Sequence, residues 1–224
     1  MFESPYCMEN IMKMIPFCAA VSFSLLLMGC ATAPITKSPE DQGGYATLFD
    51  GSGLAHWDIV GSPAGWTVQD DGVLHSDGGK NGNWIRSKKQ YSDFILELDY
   101  MISPGGNSGV FIRCARTGRS SMTGMECQIS NEPRDDFHCT GALYRYVAVN
   151  PRPDESANVW HHYRISSIGK QITVSVDGVT CVDVNLADVE AIRDKPLSGY
   201  IGLQDSHTGP GKWVKFRNIR IQEV

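Results

Sequence analysis

Between Trp66 and Val224 the chain is a succession of short runs in which apolar and polar residues alternate, and this periodicity restricts it to a β fold. WTVQ, GVLHS, NWIRS, FILELDYMI, SGVFIRC, GMECQIS, ALYRYVAV, HHYRISSI, QITVSVDG, VTCVDVN, GYIGLQD and WVKFRNIRIQEV each fit a strand, with turn residues between them. Asp-Gly pairs punctuate the chain at Asp50-Gly51, Asp71-Gly72 and Asp177-Gly178, and the last predicts a hairpin turn between QITVSV and VTCVDV. Only LADVEAIRD, residues 186–194, suggests a helix, and a short one. From Tyr45 onward roughly 180 residues remain, enough for one large core. Many strands without βαβ alternation predict an all-β domain, two antiparallel sheets packed as a sandwich. The longest run, Phe94–Ile102, sets Phe94, Leu96, Leu98 and Tyr100 against Ile95, Glu97, Asp99 and Met101. One of its faces is apolar and one mixed, as expected beside a curved binding face. Trp57, Trp66 and Trp160 are assigned to the core.

The N-terminus speaks to compartment. Residues 15–28 are almost wholly apolar and end at Gly29-Cys30, with Lys13 as the nearby positive charge. The run is too short to span a bilayer as a mature helix. Leu-Met-Gly-Cys resembles a lipoprotein signal, which makes 1–29 a signal peptide and Cys30 the lipidated first mature residue. The alternative is an ordinary secretory signal cleaved near Ala31 or Ala33. Glu3 and Glu9 suit a signal n-region poorly, so Met12 or Met14 is an alternative translation start. Ala31 carries no aspartate retention signal, which favours the outer membrane facing the periplasm. Residues 30–44, rich in Pro, Gly, Ser and charge, read as a flexible tether to the domain at 45–224. Of 7 cysteines, Cys114, Cys127, Cys139 and Cys181 fall within that domain. In an oxidising compartment they are able to pair, with a connectivity that spacing leaves open.

The stretch from Ser103 to Asn131 is the functional lead. It alternates around two arms, VFIR and MECQI, after a glycine-rich turn. Asn107, Phe111 and Arg113 then share one face of the first arm, and Glu126 and Gln128 one face of the second. Paired as a hairpin, the arms bring a guanidinium, a carboxylate and two amides to one sheet surface. That set suits a polyol better than a solvated face, which usually carries Thr, Lys and Ser. Glu126 is the candidate general base if burial raises its pKa. Its alternative is an ion pair with Arg113 across the hairpin. Asn107 after Gly-Gly equally suits a left-handed turn. Gln128 suits either hydroxyl recognition or a hydrogen bond along the sheet.

Further candidates lie at strand ends. Trp84 either stacks on a sugar ring or packs in the core. Tyr144 either donates its hydroxyl to a ring oxygen or caps the sandwich edge. Asp205 and His207 follow GYIGLQ, and His138 and His207 are the histidines placed to serve as acid or base. His161 and His162 read as strand decoration. Asp70-Asp71 and Asp135-Asp136 read as solvated turn acids, with a structural calcium at a sandwich edge as the alternative. There is no CxxC, HExxH, GxGxxG, Gly-Lys-Ser/Thr loop or GxSxG. Metal and cofactor assignments therefore stay at none, and zinc and nucleotide cofactors are set aside. A net charge of −5 without a basic cluster argues against nucleic acid.

LFDGSGLAHW (48–57), WTVQDDGVLHS (66–76), SDFILELDYMISPGGNSGVFIR (92–113), GMECQIS, TGALY (140–144), ITVSVDGV (172–179), GYIGLQD (199–205) and VKFRNIRI (214–221) follow one another in a familiar order. Over 45–224 they resemble the 3-keto-disaccharide hydrolase domain family, also described as 3-keto-glucoside 1,2-lyase/3-keto-2-hydroxy-glucal hydratase. The resemblance implies a concanavalin A-like jelly roll whose concave sheet holds a small saccharide or glycoside. This chain departs from the family pattern at Ser130-Asn131, where an aspartate is common. It departs again at Ser206, inserted before His207, and at the WHHY of 160–163.

A 3-keto sugar is acidic at C2, because the carbanion delocalises into the carbonyl. Loss of that proton permits β-elimination of the C1 substituent, and water then adds to the 2-hydroxy-glucal. One base, one donor to the enolate oxygen and one acid at the leaving oxygen suffice. Glu126 or a histidine, Arg113 with Asn107, and His207 or Tyr144 fit these roles. Trp84, Gln128, Asp205 and His138 are the remaining substrate contacts. An ordinary glycosidase needs two carboxylates flanking the bond, and only Asp205 offers itself as the second. A binding-only lipoprotein is the other competing class. The keto-sugar route implies an upstream sugar 3-dehydrogenase.

Overall fold

The computed structural model describes residues 44–224, which form two antiparallel sheets. The larger sheet holds β1 (Ala46–Phe49), β3 (Trp66–Val68), β4 (Leu74–Asp77), β6 (Phe94–Ile102), β9 (His161–Ile168), β10 (Gln171–Val176), β11 (Val179–Asn185) and β13 (Trp213–Glu223). They run in the order β11-β10-β9-β6-β13-β4-β3, with β1 also paired to β13. The smaller sheet has the order β2-β5-β12-β7-β8, from β2 (Trp57–Val60), β5 (Trp84–Tyr91), β12 (Gly199–Gln204), β7 (Asn107–Cys114) and β8 (Met125–Ser130). One short helix, α1 (Ser120–Thr123), bridges β7 and β8. This is the expected concanavalin A-like jelly roll. The apolar run, Cys30 and the tether lie outside the described residues.

Strand alternation assembles the core. β6 turns Phe94, Leu96, Leu98, Tyr100 and Ile102 inward, where they meet Val110 and Ile112 of β7, Cys127 and Ile129 of β8, and Ile201 and Leu203 of β12. Each fully buried aliphatic or aromatic side chain contributes about 1.5–3 kcal/mol. The Asp177-Gly178 hairpin forms as expected. Both residues have positive φ, 50° and 80°, and Val176 pairs with Val179 across the turn.

Several expectations give way to tertiary structure. The mixed face of β6 belongs to the larger sheet, where its acids are held in ion pairs. Its Glu97 pairs with Arg164 and Arg220, and its Asp99 with Arg217 and His162. ALYRYVAV is not a strand, because the chain turns sharply at Leu143, whose carbonyl accepts from Tyr146 and Val147, and Arg145 has φ 72°. LADVEAIRD keeps only one 3-10 turn, Leu186–Asp188, capped by Asn185. Trp57 and Trp66 are core residues, whereas Trp160 is half-buried beneath Arg217, whose guanidinium carbon stands 4.0 Å from its ring centroid. The four cysteines of the domain are buried free thiols.

Candidate active site

The site lies on the face of the smaller sheet turned away from the core. Register places Phe111 opposite Glu126, Gly109 opposite Gln128 and Asn107 opposite Ser130. Strand alternation then sends Asn107, Phe111, Glu126 and Gln128 outward together, while Val110, Ile112, Cys127 and Ile129 enter the core. The expected hairpin is real, and its polar face is the floor of a cavity. Trp84 and Val60 wall that floor on one side, and Arg119, Ser120 and Ser121 at the start of α1 and Tyr144 of a loop line it on another. Gln204, Asp205, His207 and Asn83 complete a volume of about 460 Å³. That suits a one- or two-ring saccharide.

Glu126 dominates the electrostatics. It is 5% exposed, and its carboxylate makes no hydrogen bond to any described residue. Burial pushes its pKa up to about 7, with Arg119 and Arg145 pulling weakly the other way. A carboxyl so placed can act as a base near neutral pH. Asp205 shares the cavity, and burial raises its pKa too, although its Oδ2 accepts the Asn83 amide at 2.8 Å. Trp84 meets Phe111 edge-on, ring centroids 5.6 Å apart, leaving an aromatic wall beside the polar floor.

Arg113 does not join them. Its φ is 54°, and β7 carries an extra residue against β12 between Phe111 and Cys114, so alternation fails there. The side chain instead enters the protein, 0% exposed, and donates to the carbonyls of Ser92, Ser167 and Gly169 and to Asp93. Arg113 staples the β5–β6 and β9–β10 turns. The ion pair with Glu126, the alternative to a base role, is likewise absent among the described residues. The guanidiniums that reach Glu126's field are Arg119, from a loop, and Arg145, from the run ALYRYVAV that turns instead of forming a strand.

His138 is also outside the cavity lining. It pairs with Asp135 at 2.7 Å and packs edge-on against Tyr144, ring centroids 5.0 Å apart, so it supports Tyr144 from behind. His207 lines the cavity, its backbone amide donating to the Asn107 carbonyl at 3.3 Å. Asp71 and Asp135 accept local turn amides, and Asp136 pairs with Arg152. Among the described residues no group of three or more His, Cys, Asp or Glu side chains is arranged to hold a metal ion.

Glu132 escaped the sequence reading. It sits two residues beyond β8, anchored by Arg134, and accepts from Asn107 Nδ2 at 2.8 Å. The signal was an acid in the NEPR segment just past the strand, close to where the family pattern has its aspartate.

Comparison with known proteins finds relatives among carbohydrate-active families. A family model described as the 3-keto-alpha-glucoside-1,2-lyase-like domain matches residues 44–222. A 3-keto-disaccharide hydrolase of Bacteroides thetaiotaomicron is 34% identical across 91% of this chain and 86% of its own length. A crystal structure of a candidate glycosyl hydrolase from Parabacteroides distasonis superposes with a TM-score of 0.70 at 25% identity, covering 80% of this chain and 99% of that one. The β-glucanase of Bacillus licheniformis shares the fold alone, with a TM-score of 0.53 at 16% identity over 82% of this chain and 100% of that one.

Proposed function

The chain belongs to the 3-keto-alpha-glucoside-1,2-lyase-like domain family, a carbohydrate-active group, and from that footing we propose that it cleaves 3-keto-glycosides by β-elimination at C2 followed by hydration. The observation that carries the reading is Glu126, a buried, unpartnered carboxylate with its pKa raised to about 7 on the floor of a sugar-sized cavity. Glu126 takes the C2 proton, and the C–H electron pair becomes the C2–C3 double bond of an enolate. Collapse of that enolate expels the C1 oxygen, which His207 or Tyr144 protonates. Arg119, on the cavity wall, takes the enolate-stabilising role once expected of Arg113. Water then adds at C1, and Glu126 returns a proton to C2.

The test is the fate of the C2 proton. In heavy water the released keto-sugar should carry deuterium at C2, and the same glucoside lacking the 3-keto group should be untouched. Asp205 motivates a second reading, ordinary hydrolysis between two carboxylates. Cleavage of the unoxidised glucoside without C2 label would establish that reading instead. Binding without cleavage of either would leave a lectin.

The proposed setting is the cell envelope. Lipidation at Cys30 would tether the domain to the outer membrane, and an upstream sugar 3-dehydrogenase would supply the keto substrate. Labelled palmitate entering wild type but not Cys30→Ser is the expected outcome, and equal labelling would refute the anchor.

A further inference from the structure

We propose that Glu132 is a positioning residue which, through Asn107, fixes the polarity of Gln128, so that Gln128 turns its carbonyl oxygen to the cavity and accepts a hydrogen bond from a sugar hydroxyl. The inference rests on the saccharide reading of the cavity and says which part of the sugar faces this floor.

The argument is a chain of forced choices. Arg134 donates to Glu132 Oε2 through Nε at 3.0 Å and also through Nη2. An ionised carboxylate only accepts, so Asn107 must present its NH₂ group to that oxygen, and it does so at 2.8 Å. The Asn107 Oδ1 then points the other way and accepts from Gln128 Nε2 at 3.1 Å. Gln128 is left with its Oε1 buried and without a partner, on the floor of the cavity. A buried acceptor in this state costs stability unless a ligand or water satisfies it.

Gln204 offers a contrast. Its Oε1 is also buried without a partner in the same cavity, but no hydrogen bond among the described residues fixes its amide. Gln204 can turn either end toward a ligand. Gln128 cannot, because its amide nitrogen is engaged by a group whose own orientation a carboxylate dictates. The ligand atom over Gln128 must be a donor, which in a 3-keto sugar means a hydroxyl. The keto oxygen is thereby directed to the donors elsewhere in the lining, Tyr144, His207 or Arg119. Asn107 is the relay that carries this orientation from Glu132 to Gln128.

Fluorine tests this, since a C–F group keeps the polarity of a hydroxyl but cannot donate. Binding of methyl 3-keto-glucoside and its 2-, 4- and 6-deoxyfluoro analogues would be measured by calorimetry in a Glu126→Gln background, where no turnover interferes. One fluorinated analogue should bind about tenfold or more weakly than the parent. Adding Glu132→Ala should shrink that ratio below about threefold, because both amides are then free to reverse. Adding Glu132→Gln should preserve it, since the amide oxygen can stand where Oε2 stands and still accept from Arg134 and Asn107. A purely structural Glu132 would weaken all four ligands alike. No discrimination among the analogues, an unchanged ratio in Glu132→Ala, or no binding of any ligand would overturn the proposal. Turnover by wild type is scored separately. Discrimination without turnover keeps this inference and removes the enzyme reading, and turnover without discrimination does the reverse.

Discussion

Glu126 occupies the space that a side chain at Gly109 would need. A Cβ built on Gly109 would stand 2.8 Å from Glu126 Oε1 and 3.0 Å from its Cγ. The Glu126 carboxylate therefore leans over the neighbouring strand, and the glycine beneath it belongs to the cavity floor.

Gly109→Ala should push that carboxylate off its position while leaving the strand pairing in place. A displacement of about an ångström can lower a rate about 100-fold. We expect kcat/KM on a 3-keto-glucoside to fall by that order, with a melting temperature close to wild type. An active Gly109→Ala enzyme would mean that Glu126's position is not critical.

Glu126 sets the pH dependence in two ways. As a base it must be ionised, so kcat/KM should climb through about pH 7, and Glu126→Gln should abolish turnover while keeping the fold. Its folded pKa is raised from 4.5, so the stability tied to its protonated form is present below that value and lost as pH rises through about 7. Glu126→Gln should accordingly be more stable than wild type above pH 7, on the order of 2–3 kcal/mol. Denaturant melts at pH 5 and pH 8 measure it. Destabilisation by the substitution at pH 8 would instead indicate a structural ion pair.

Arg113 carries the opposite signature. Arg113→Ala strips the donors from three turn carbonyls and Asp93, and should cost about 2–4 kcal/mol of stability. Turnover per folded molecule should be nearly unchanged. A loss of kcat without a loss of stability would return Arg113 to the chemistry.

His161 gives the fold a pH limit of its own. The ring is 2% exposed, and both nitrogens face acceptors, Asp177 Oδ2 at 2.7 Å and the Ser156 carbonyl at 2.9 Å. Burial opposes the charged ring most strongly, but Asp177 and Ser156 together outweigh it and the pKa is raised. The resulting stabilisation is full below the unfolded value of about 6.5 and disappears as pH rises through the folded one. Asp177→Asn keeps the turn, so its cost, about 1–2 kcal/mol, should appear at pH 6 and fade in alkali. Equal melting-temperature losses at pH 6 and pH 9 would contradict a charged His161.

What the sequence disclosed, and what it hid, divides along the periodicity of strands. β6 and β9 occupy the runs FILELDYMI and HHYRISSI, and the β7–β8 hairpin brings Asn107, Glu126 and Gln128 together as alternation requires. Arg113 was misread because one extra residue in β7 reverses the side on which every later residue falls. The short strands β1 and β2 carry too few residues to show a period. Arg119, Arg145 and Glu132 come from loops, whose side chains reach the site only through tertiary folding. Trp160 belongs to a patch where an arginine, not the core, supplies its cover.

The buried thiols bear on how the domain is made. Cys114, Cys127, Cys139 and Cys181 are unpaired, and burial raises the pKa of each, Cys114 to about 12. Thiols so protected neither attack nor are attacked readily once the sandwich has folded, and the native domain holds together without a disulfide among its described residues. Its cross-links are hydrogen-bonded staples such as Arg113, which are indifferent to redox state. Once folded, the sandwich should therefore be equally stable in reducing and oxidising surroundings.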